Sequence, residues 1–443
     1  MSARITSLDF DGSLVRLVPA GEVSGIENIY TVIVGKNGVG KSRLLSEIAK
    51  IGVALKYHEK VIAVSTSPFD KFPNQRRRNG VEASSYRYVG MRSEGMYQAS
   101  SAVSLISSAA KGLLEKLSSS NGSHDLKSVF ESLNFHSSAD FIFKPGYLKI
   151  GRDHYDVASV EGTSLAIDLR RLDREHGIQV DERYFELLDG LNLGKRLEVI
   201  ESMIKINEVL TQRRAIELKV DFTGSISSLG GNLTDNSYIR AILVLMDVGL
   251  MRLMDLRLEK IGYGELSLKK ASSGEQCLLV LILGIAGHIT NGSLILIDEP
   301  EISLHPRWQE EFMLLLTSSF SGYTGCQFVV ATHSPQVIAR LKGAGCYIAS
   351  LSRRELYNAE DFHDKSADFQ LAELFDAPGL MNEYISRLAF NLLARVKANK
   401  RFDSDSANDL NRLMAFDRQL DEADPVKELI SSVARLCQTY ADN

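Results

Sequence analysis

What this 443-residue chain has little of narrows its class. Its four cysteines, Cys277, Cys326, Cys346 and Cys437, are scattered, with no Cys-x-x-Cys pair and no metal-like spacing from histidine. That excludes a disulfide framework, a zinc site and a thiol redox centre, and predicts buried free thiols in a reducing compartment. Positive charge is not in excess. With a net charge of −5, the surface as a whole does not attract nucleic acid, and any such contact needs a local basic patch. Long apolar runs are missing too: the longest, Cys277 to Ile289, falls short of the roughly 20 residues that span a bilayer. The opening MSARITSLDFDG has no apolar stretch of the signal-peptide kind, so a soluble, cytoplasmic protein without membrane contact is expected.

What remains is ordinary globular composition, 44% hydrophobic and 24% charged, with length for two or three domains' worth of core. One stretch stands out against that background. In NIYTVIVGKNGVGKSRLLSEIAKI, the β-branched run Ile29 to Val34 reads as a buried strand, and Leu44, Leu45, Ile48 and Ile51 share one helical face. Between them lies GxxxxGKS: Gly35, Lys36, Asn37, Gly38, Val39, Gly40, Lys41 and Ser42, followed by Arg43. Its glycines allow a tight turn whose N–H groups converge on a phosphate, and the helix amino terminus adds partial positive charge. Lys41 is expected to reach the β- and γ-phosphates and Ser42 to hold Mg²⁺. The cofactors expected are therefore ATP and Mg²⁺.

A second aliphatic run, Leu294 to Ile297, ends in two adjacent acids, Asp298 and Glu299. Such a run suits a central parallel strand buried on both faces, whose carboxyl end is where α/β sheets place ligands. Asp298 is then a metal ligand, directly or through water, and Glu299 the general base toward an attacking water.

Upstream, KKASSGEQCLLVLILGIAG sets Ser272, Ser273, Gly274 and Glu275 before an apolar helix. Alone, this is a helix start with a serine cap and an acid in the first turn. One helix ahead of the Asp-Glu strand, it resembles the signature motif of ABC-type ATPases, with Ser273 in the serine's place and Glu275 where many members carry glycine. That resemblance implies a motif that caps the γ-phosphate bound by a partner subunit. Further on, CQFVVATHSPQVI places Thr332-His333-Ser334 after a β-rich run, similar to the same family's switch-histidine segment. His333 is thus expected at the γ-phosphate, and Lys41, Glu299 and His333 form the catalytic set.

Transporter-type relatives follow their Asp-Glu-Pro with Ser-Ala-Leu-Asp; here Ile302-Ser303-Leu304-His305 leads into Pro306 and Trp308. DEPExSLHPxWQ resembles the soluble ABC ATPases grouped with the RecF, SMC and OLD proteins. On that resemblance His305 contacts the opposite subunit; on local grounds His305 and Trp308 pack at a helix start. The stretches VIAVSTSPFDKFP, SSGEQ, IDEPEISLHPRWQ, ATHSPQVIARL and SADFQLAELFDAPGLMNEYI together resemble PtuA-type ATPases of Septu and retron anti-phage defence systems. Those are paired with an HNH nuclease, PtuB. The family also places a glutamine past the phosphate loop, for which Gln75, Ser67 and Asp70 are all candidates.

The fold expected is α/β: a P-loop ABC-type ATPase head with a split two-lobe core. Residues 1–95 form lobe I, 96–264 a mostly helical insertion, 265–350 lobe II, and 351–443 a helical region. Leu105 to Leu117 reads as a short helix on a surface excursion, and Leu197 to Gln212 and Ser237 to Lys260 as helical. Sustained heptads are missing, which excludes an SMC-like arm. Leu380, Tyr384, Ile385, Leu388 and Leu392 form a stripe, either core packing or a docking face for a partner. Lys71, Arg76, Arg77, Arg78, Arg87 and Arg92, near Tyr86 and Tyr88, are a solvated loop or a nucleic-acid contact.

No nuclease centre is present: HNH spacing is lacking, and Asp403 to Ser406 lacks the strands of a TOPRIM domain. The resemblance implies a head-to-head homodimer, or higher oligomer, around two ATPs, regulating an HNH-type nuclease partner. A retron reverse transcriptase or nucleic-acid complex is a further implied partner. Two alternatives stand beside it: a RecF-like DNA-repair clamp, and an ATP-bound scaffold that restrains a toxin without hydrolysis.

Overall fold

The computed structural model of the chain describes residues 4–19, 21, 25–55, 58–73, 85–90, 101–118, 124–149, 157–210, 215–223, 226–229, 232–302 and 304–441. β1 (Ser7–Phe10) and β2 (Ser13–Arg16) make a hairpin, β3 (Ile29–Val34) feeds α1 (Lys41–Leu55), and β4 (Val61–Ser65) and β5 (Tyr86–Gly90) follow. The middle of the chain holds α2 (Ser101–Ser118), α3 (His124–Ser132), β6 (Phe135–Pro145), α4 (Ser164–His176), α5 (Phe185–Asp189), α6 (Leu193–Asn207), β7 (Ile216–Asp221), β8 (Ile226–Leu229), β9 (Asn232–Thr234), α7 (Asn236–Asp247), β10 (Met251–Lys260) and β11 (Gly264–Ser267). Then come α8 (Ser273–Ala286), β12 (Leu294–Asp298), α9 (Pro306–Ser319), β13 (Gln327–Ala331), α10 (Pro335–Ala339), β14 (Cys346–Ser350), β15 (Glu355–Asn358), α11 (Ala367–Glu373), α12 (Glu383–Asn399), α13 (Ser404–Asp417) and α14 (Pro425–Ala441).

A seven-stranded sheet in the order β15-β14-β3-β13-β12-β4-β5 carries the site. All its strands are parallel except β15 at one edge. Alternate residues serve two cores, as the pleat requires. Ile33, Ala63, Leu296 and Val329 pack with α1 and the β1–β2 hairpin. Val32, Ile62, Ile297 and Val330 join the cluster that contains α8 and α9. Burial on both faces explains why β3, β4, β12 and β13 read as unbroken apolar runs. One strand, β13, stands between β3 and β12, so the phosphate loop and the two acids leave the same sheet edge two positions apart.

Periodicity gives a mostly helical reading of 96–264; the structure forms α2 to α7 there and adds a sheet that corrects that reading. β6 to β11 make a six-stranded antiparallel sheet in the order β11-β10-β6-β7-β8-β9. Ser237 to Lys260 is not one helix: α7 ends at Asp247 and β10 begins at Met251. In β10, Met251, Leu253, Leu256 and Leu258 are buried, a period-2 pattern interrupted by a shift between Leu253 and Asp255. That bulge moves the aliphatics onto spacings that also suit a helix face.

α2 is not a surface excursion either. Ala109, Ala110, Leu113 and Leu114 are buried, and the helix lies against α8. The two backbones approach so closely that a Cβ on Gly287 would sit 2.5 Å from the Gly112 carbonyl carbon. Toward the carboxyl end, α12, α13 and α14 bury Ile385, Leu392, Leu413, Phe416, Ile430 and Val433 in a core of their own. Ile385 and Leu392 of the expected stripe are in that core, whereas Leu380 precedes α12 and is 71% exposed. All four cysteines are free and buried. Among the described residues, no helix is long and apolar enough to cross a membrane.

Candidate nucleotide site

The phosphate loop turns out of β3 at Gly35, where φ is +148° and a side chain would not fit: a Cβ would lie 2.9 Å from Ser352 Oγ. Ser352, in the turn after β14, receives the Lys36 N–H at 3.2 Å. Lys36, Asn37 and Gly38 are exposed and Val39 and Gly40 half-buried, so the loop's outer surface is open. Lys41 opens α1 and is buried to 3% exposure. Its ammonium donates to Gly35 O at 2.7 Å and Lys36 O at 3.1 Å, and meets His333 Nδ1 at 3.0 Å. Burial lowers its pKa to about 8, against the pull of Glu301, Glu299 and Asp298. Arg43 is exposed, paired with Asp11 at 3.0 Å, its guanidinium 5.4 Å from the centre of the Phe10 ring.

The structure brings the acids of β12 to this loop. Ser42 Oγ donates to Asp298 Oδ1 at 3.1 Å. Asp298 is buried, and desolvation raises its pKa to about 7, with Glu299, Asp70 and Glu301 adding like charge. Glu299 sits in the left-handed region at φ +48°, a strained conformation for a residue with a side chain. His333 Nε2 lies 3.2 Å from Glu299 Oε1, and that hydrogen bond is the main cause holding the glutamate below its usual range. A lysine ammonium has no acceptor, so it must donate to Nδ1. The imidazole is therefore the tautomer that carries its proton on Nε2 and donates to Glu299. Lys41, His333 and Glu299 form one hydrogen-bonded chain from the phosphate loop to the acid pair.

Sequence reasoning missed three side chains at this edge. Glu301 Oε1 accepts the His333 backbone N–H at 2.5 Å, and its Oε2 is buried without a hydrogen-bond partner. Burial raises Glu301 above the usual carboxylate range, opposed by that N–H. Ser334 Oγ bonds Gln309 Oε1 at 2.6 Å, and Gln309 Nε2 donates to Leu304 O at 2.9 Å. Glu301 and Gln309 both belong to DEPEISLHPRWQ, and the available signal was two further polar residues in an otherwise unexplained stretch.

Other expected positions fall as follows. Ser272 caps α8, and with Glu275 it forms a capping box. Ser272 and Ser273 are exposed, Gly274 is buried, and α8 is buried from Cys277 to Ala286. Because α8 leads into the amino end of β12, its own amino terminus points toward the strands' carboxyl ends. His305 caps α9, its Nδ1 accepting the Arg307 N–H at 3.4 Å, and Trp308 packs partly buried against the core. Asp70 is buried, accepting from Tyr88 Oη at 2.7 Å and from the Phe72 N–H at 3.0 Å. Ser67 Oγ accepts the Phe69 N–H at 3.2 Å. Gln75, Arg76, Arg77, Arg78 and Arg92 lie outside the described residues. Tyr86 and Tyr88 are buried, with hydroxyls bound to Pro73 O and Asp70, so they are not platforms for stacking bases.

These residues fit a nucleotide with Mg²⁺. Mg²⁺ at phosphate sites takes one or two protein ligands beside phosphate oxygens and water. Ser42 and Asp298 supply one hydroxyl and one carboxylate, and the buried carboxylate near neutral pKa is a group that a divalent cation would ionise. Among the described residues no group of three His, Cys, Asp or Glu side chains forms a metal cluster.

Comparison with known proteins agrees with this geometry over a limited span. A protein-family model described as "AAA domain, putative AbiEii toxin, Type IV TA system" matches residues 254–339. The chain is 36% identical to the retron Ec83 probable ATPase of Escherichia coli over 95 residues, 19% of this chain and 17% of that protein. It is 33% identical to the retron Vc95 probable ATPase of Vibrio cholerae serotype O1 biovar El Tor over 96 residues, 19% of this chain and 18% of the relative. Protein ea59 of Escherichia phage lambda is 31% identical over 106 residues, 24% of this chain and 20% of that protein. The chain thus spans about a fifth of the length of each relative it matches.

Proposed function

We propose that the chain is an ABC-type ATPase that binds ATP with Mg²⁺ between paired heads, hydrolyses it, and thereby controls a partner nuclease of the HNH, PtuB-like class in anti-phage defence. The observation that carries this reading is the Lys41–His333–Glu299 chain, which joins the phosphate loop to the acid after Asp298. The AAA-domain match and the likeness to two retron ATPases support it.

The chain's own residues perform the chemistry as follows. All three Lys41 donors are engaged, so an arriving phosphate oxygen takes over at least one of them. Exchange at His333 Nδ1 frees that ring nitrogen as a hydrogen-bond acceptor, while Nε2 still donates to Glu299. Glu299, kept ionised at neutral pH, accepts the proton of the attacking water at a carboxylate oxygen. Ser42 and Asp298 would hold a Mg²⁺, which when bound would supply charge to neutralise phosphate oxygens. Ser273, exposed as the first residue of α8, serves the nucleotide of the opposite head.

ATP turnover of wild type against Glu299→Gln tests the assignment. A loss of about 100-fold or more with binding retained is expected; equal rates would sink the catalytic assignment of Glu299, and no turnover in either protein would leave a non-hydrolysing scaffold. Co-expression with its genomic neighbours, followed by native mass spectrometry, tests the partner. A co-purifying nuclease supports the reading, and an ATPase that emerges alone moves it to a RecF-like clamp.

A further inference from the structure

The stretch after β12 does more than end a strand. β13 stops at Ala331; the Thr332 N–H still reaches Ile33 O of β3 at 3.2 Å, and His333 and Ser334 then cross to α10 beyond the end of the strand. Two side chains from that stretch grip the crossing at successive residues. Glu301 takes the His333 N–H, and Gln309 accepts from the Ser334 hydroxyl. Gln309 is anchored in turn by its bond to Leu304 O. Between these two grips the imidazole spans Lys41 at 3.0 Å and Glu299 at 3.2 Å. Both ring contacts are of ordinary hydrogen-bond length, so a slip of about 1 Å breaks them.

We propose that Glu301 is the positioning residue of His333, fixing the imidazole between the phosphate-loop lysine and Glu299, with Gln309 as the second clamp through Ser334. The inference rests on the ATPase reading and deepens it. It is separate from a general structural role, because the β12–β13 ladder pairs along its whole length without Glu301. Removing one acceptor frees the switch loop and leaves the sheet intact. Glutamine at 301 keeps an acceptor oxygen on the His333 N–H, so what the position needs is reach and shape.

Steady-state ATP hydrolysis of the full chain tests it, with thermal melting as the check on folding. Glu301→Ala is expected to lower kcat by about 10- to 100-fold with KM for ATP near wild type. Glu301→Gln is expected to recover most of that loss. Combined with His333→Ala, Glu301→Ala is expected to cost nothing further, since it acts through the same side chain. Gln309→Ala, which releases Ser334 next to His333, is expected to lower kcat in the same direction, and it replaces Glu301→Ala in the cycle if that variant melts early. An unchanged kcat in Glu301→Ala, a Glu301→Gln as slow as Ala, or losses that add in full to His333→Ala would each overturn the proposal. Wild type that binds ATP and never turns it over removes the ATPase reading itself, and the positioning role with it.

Discussion

Lys41 Nζ and His333 Nδ1 stand 3.0 Å apart although 292 residues separate them in the chain. One is the last-turn lysine of the phosphate loop, the other the histidine beyond β13, and the contact exists because β3 and β13 are neighbours with Ile33 opposite Ala331. Lysine supplies only donors, so the pair sets the imidazole tautomer and aims Nε2 at Glu299. Lys41→Ala should therefore abolish tight ATP binding and also release His333. Titration with a fluorescent ATP analogue checks the first effect; retained tight binding would refute the phosphate-loop assignment.

Asp298 predicts a pH signature of the nucleotide-free protein. Its folded-state pKa, about 7, is above the ordinary 3.8, so the folded chain holds a proton that the unfolded chain gives up. That contribution to stability is full below about pH 4 and is lost as pH rises through about 7. Asp298→Asn removes the burial of a charge at high pH and should raise Tm by roughly a few degrees at pH 8, with a smaller rise at pH 5, where the penalty is only partly developed. The same variant should lose the stabilisation wild type gains from Mg²⁺ with ATP. Melts at the two pH values decide it; equal shifts at both would show that burial of charge is not the cause.

Ser273 is exposed at the amino end of a helix that is otherwise buried, and it is far in sequence from its own chain's phosphate loop. If the heads pair as proposed, Ser273→Arg should leave ATP binding intact while hydrolysis falls about 100-fold, since the altered surface would then serve the opposite head's site. Mixing Ser273→Arg with Lys41→Ala protein should restore part of the activity through one complete composite site. Unchanged hydrolysis in Ser273→Arg alone would disprove the paired-head arrangement.

Arg353 ties the carboxyl-terminal helices to the turn that meets the phosphate loop. Its Nε donates to Asp376 Oδ1 at 3.0 Å and its Nη2 to Ala372 O at 3.1 Å, one residue after Ser352 receives the Lys36 N–H. Glu373, 3.6 Å from Arg353, is also held by Arg412 and by Tyr384 Oη. Arg353→Ala leaves the mostly buried Asp376 without its cation, a loss of about 1–3 kcal/mol. Limited proteolysis should then cut between residues 374 and 382 well before the wild type is cut there, with the α12–α14 fragment surviving. Identical digestion of both proteins would show that this ion pair does not hold the helices.

The sequence by itself determined the features whose physics is local. GKNGVGKS between an aliphatic run and an amphipathic stretch specifies a turn and a helix start, since eight consecutive residues set that backbone's shape and its N–H directions. Asp298 and Glu299 were legible because a run of aliphatics that ends in two acids has few places in a globular fold. The capping box of Ser272 and Glu275 follows from spacing alone. Only the tertiary structure decided the rest. β10 was read as helix because a bulge blurred its period-2 pattern, and pairing with β6 settled it. α2 was placed outside because serine-rich flanks say nothing of α8, against which it is buried. Glu301 and Gln309 gained partners on a loop more than 20 residues away, and Ser352 met Lys36 across 316 positions. Such contacts arise when strands pair and helices cross them, so no window of neighbouring residues contains the energy that selects them.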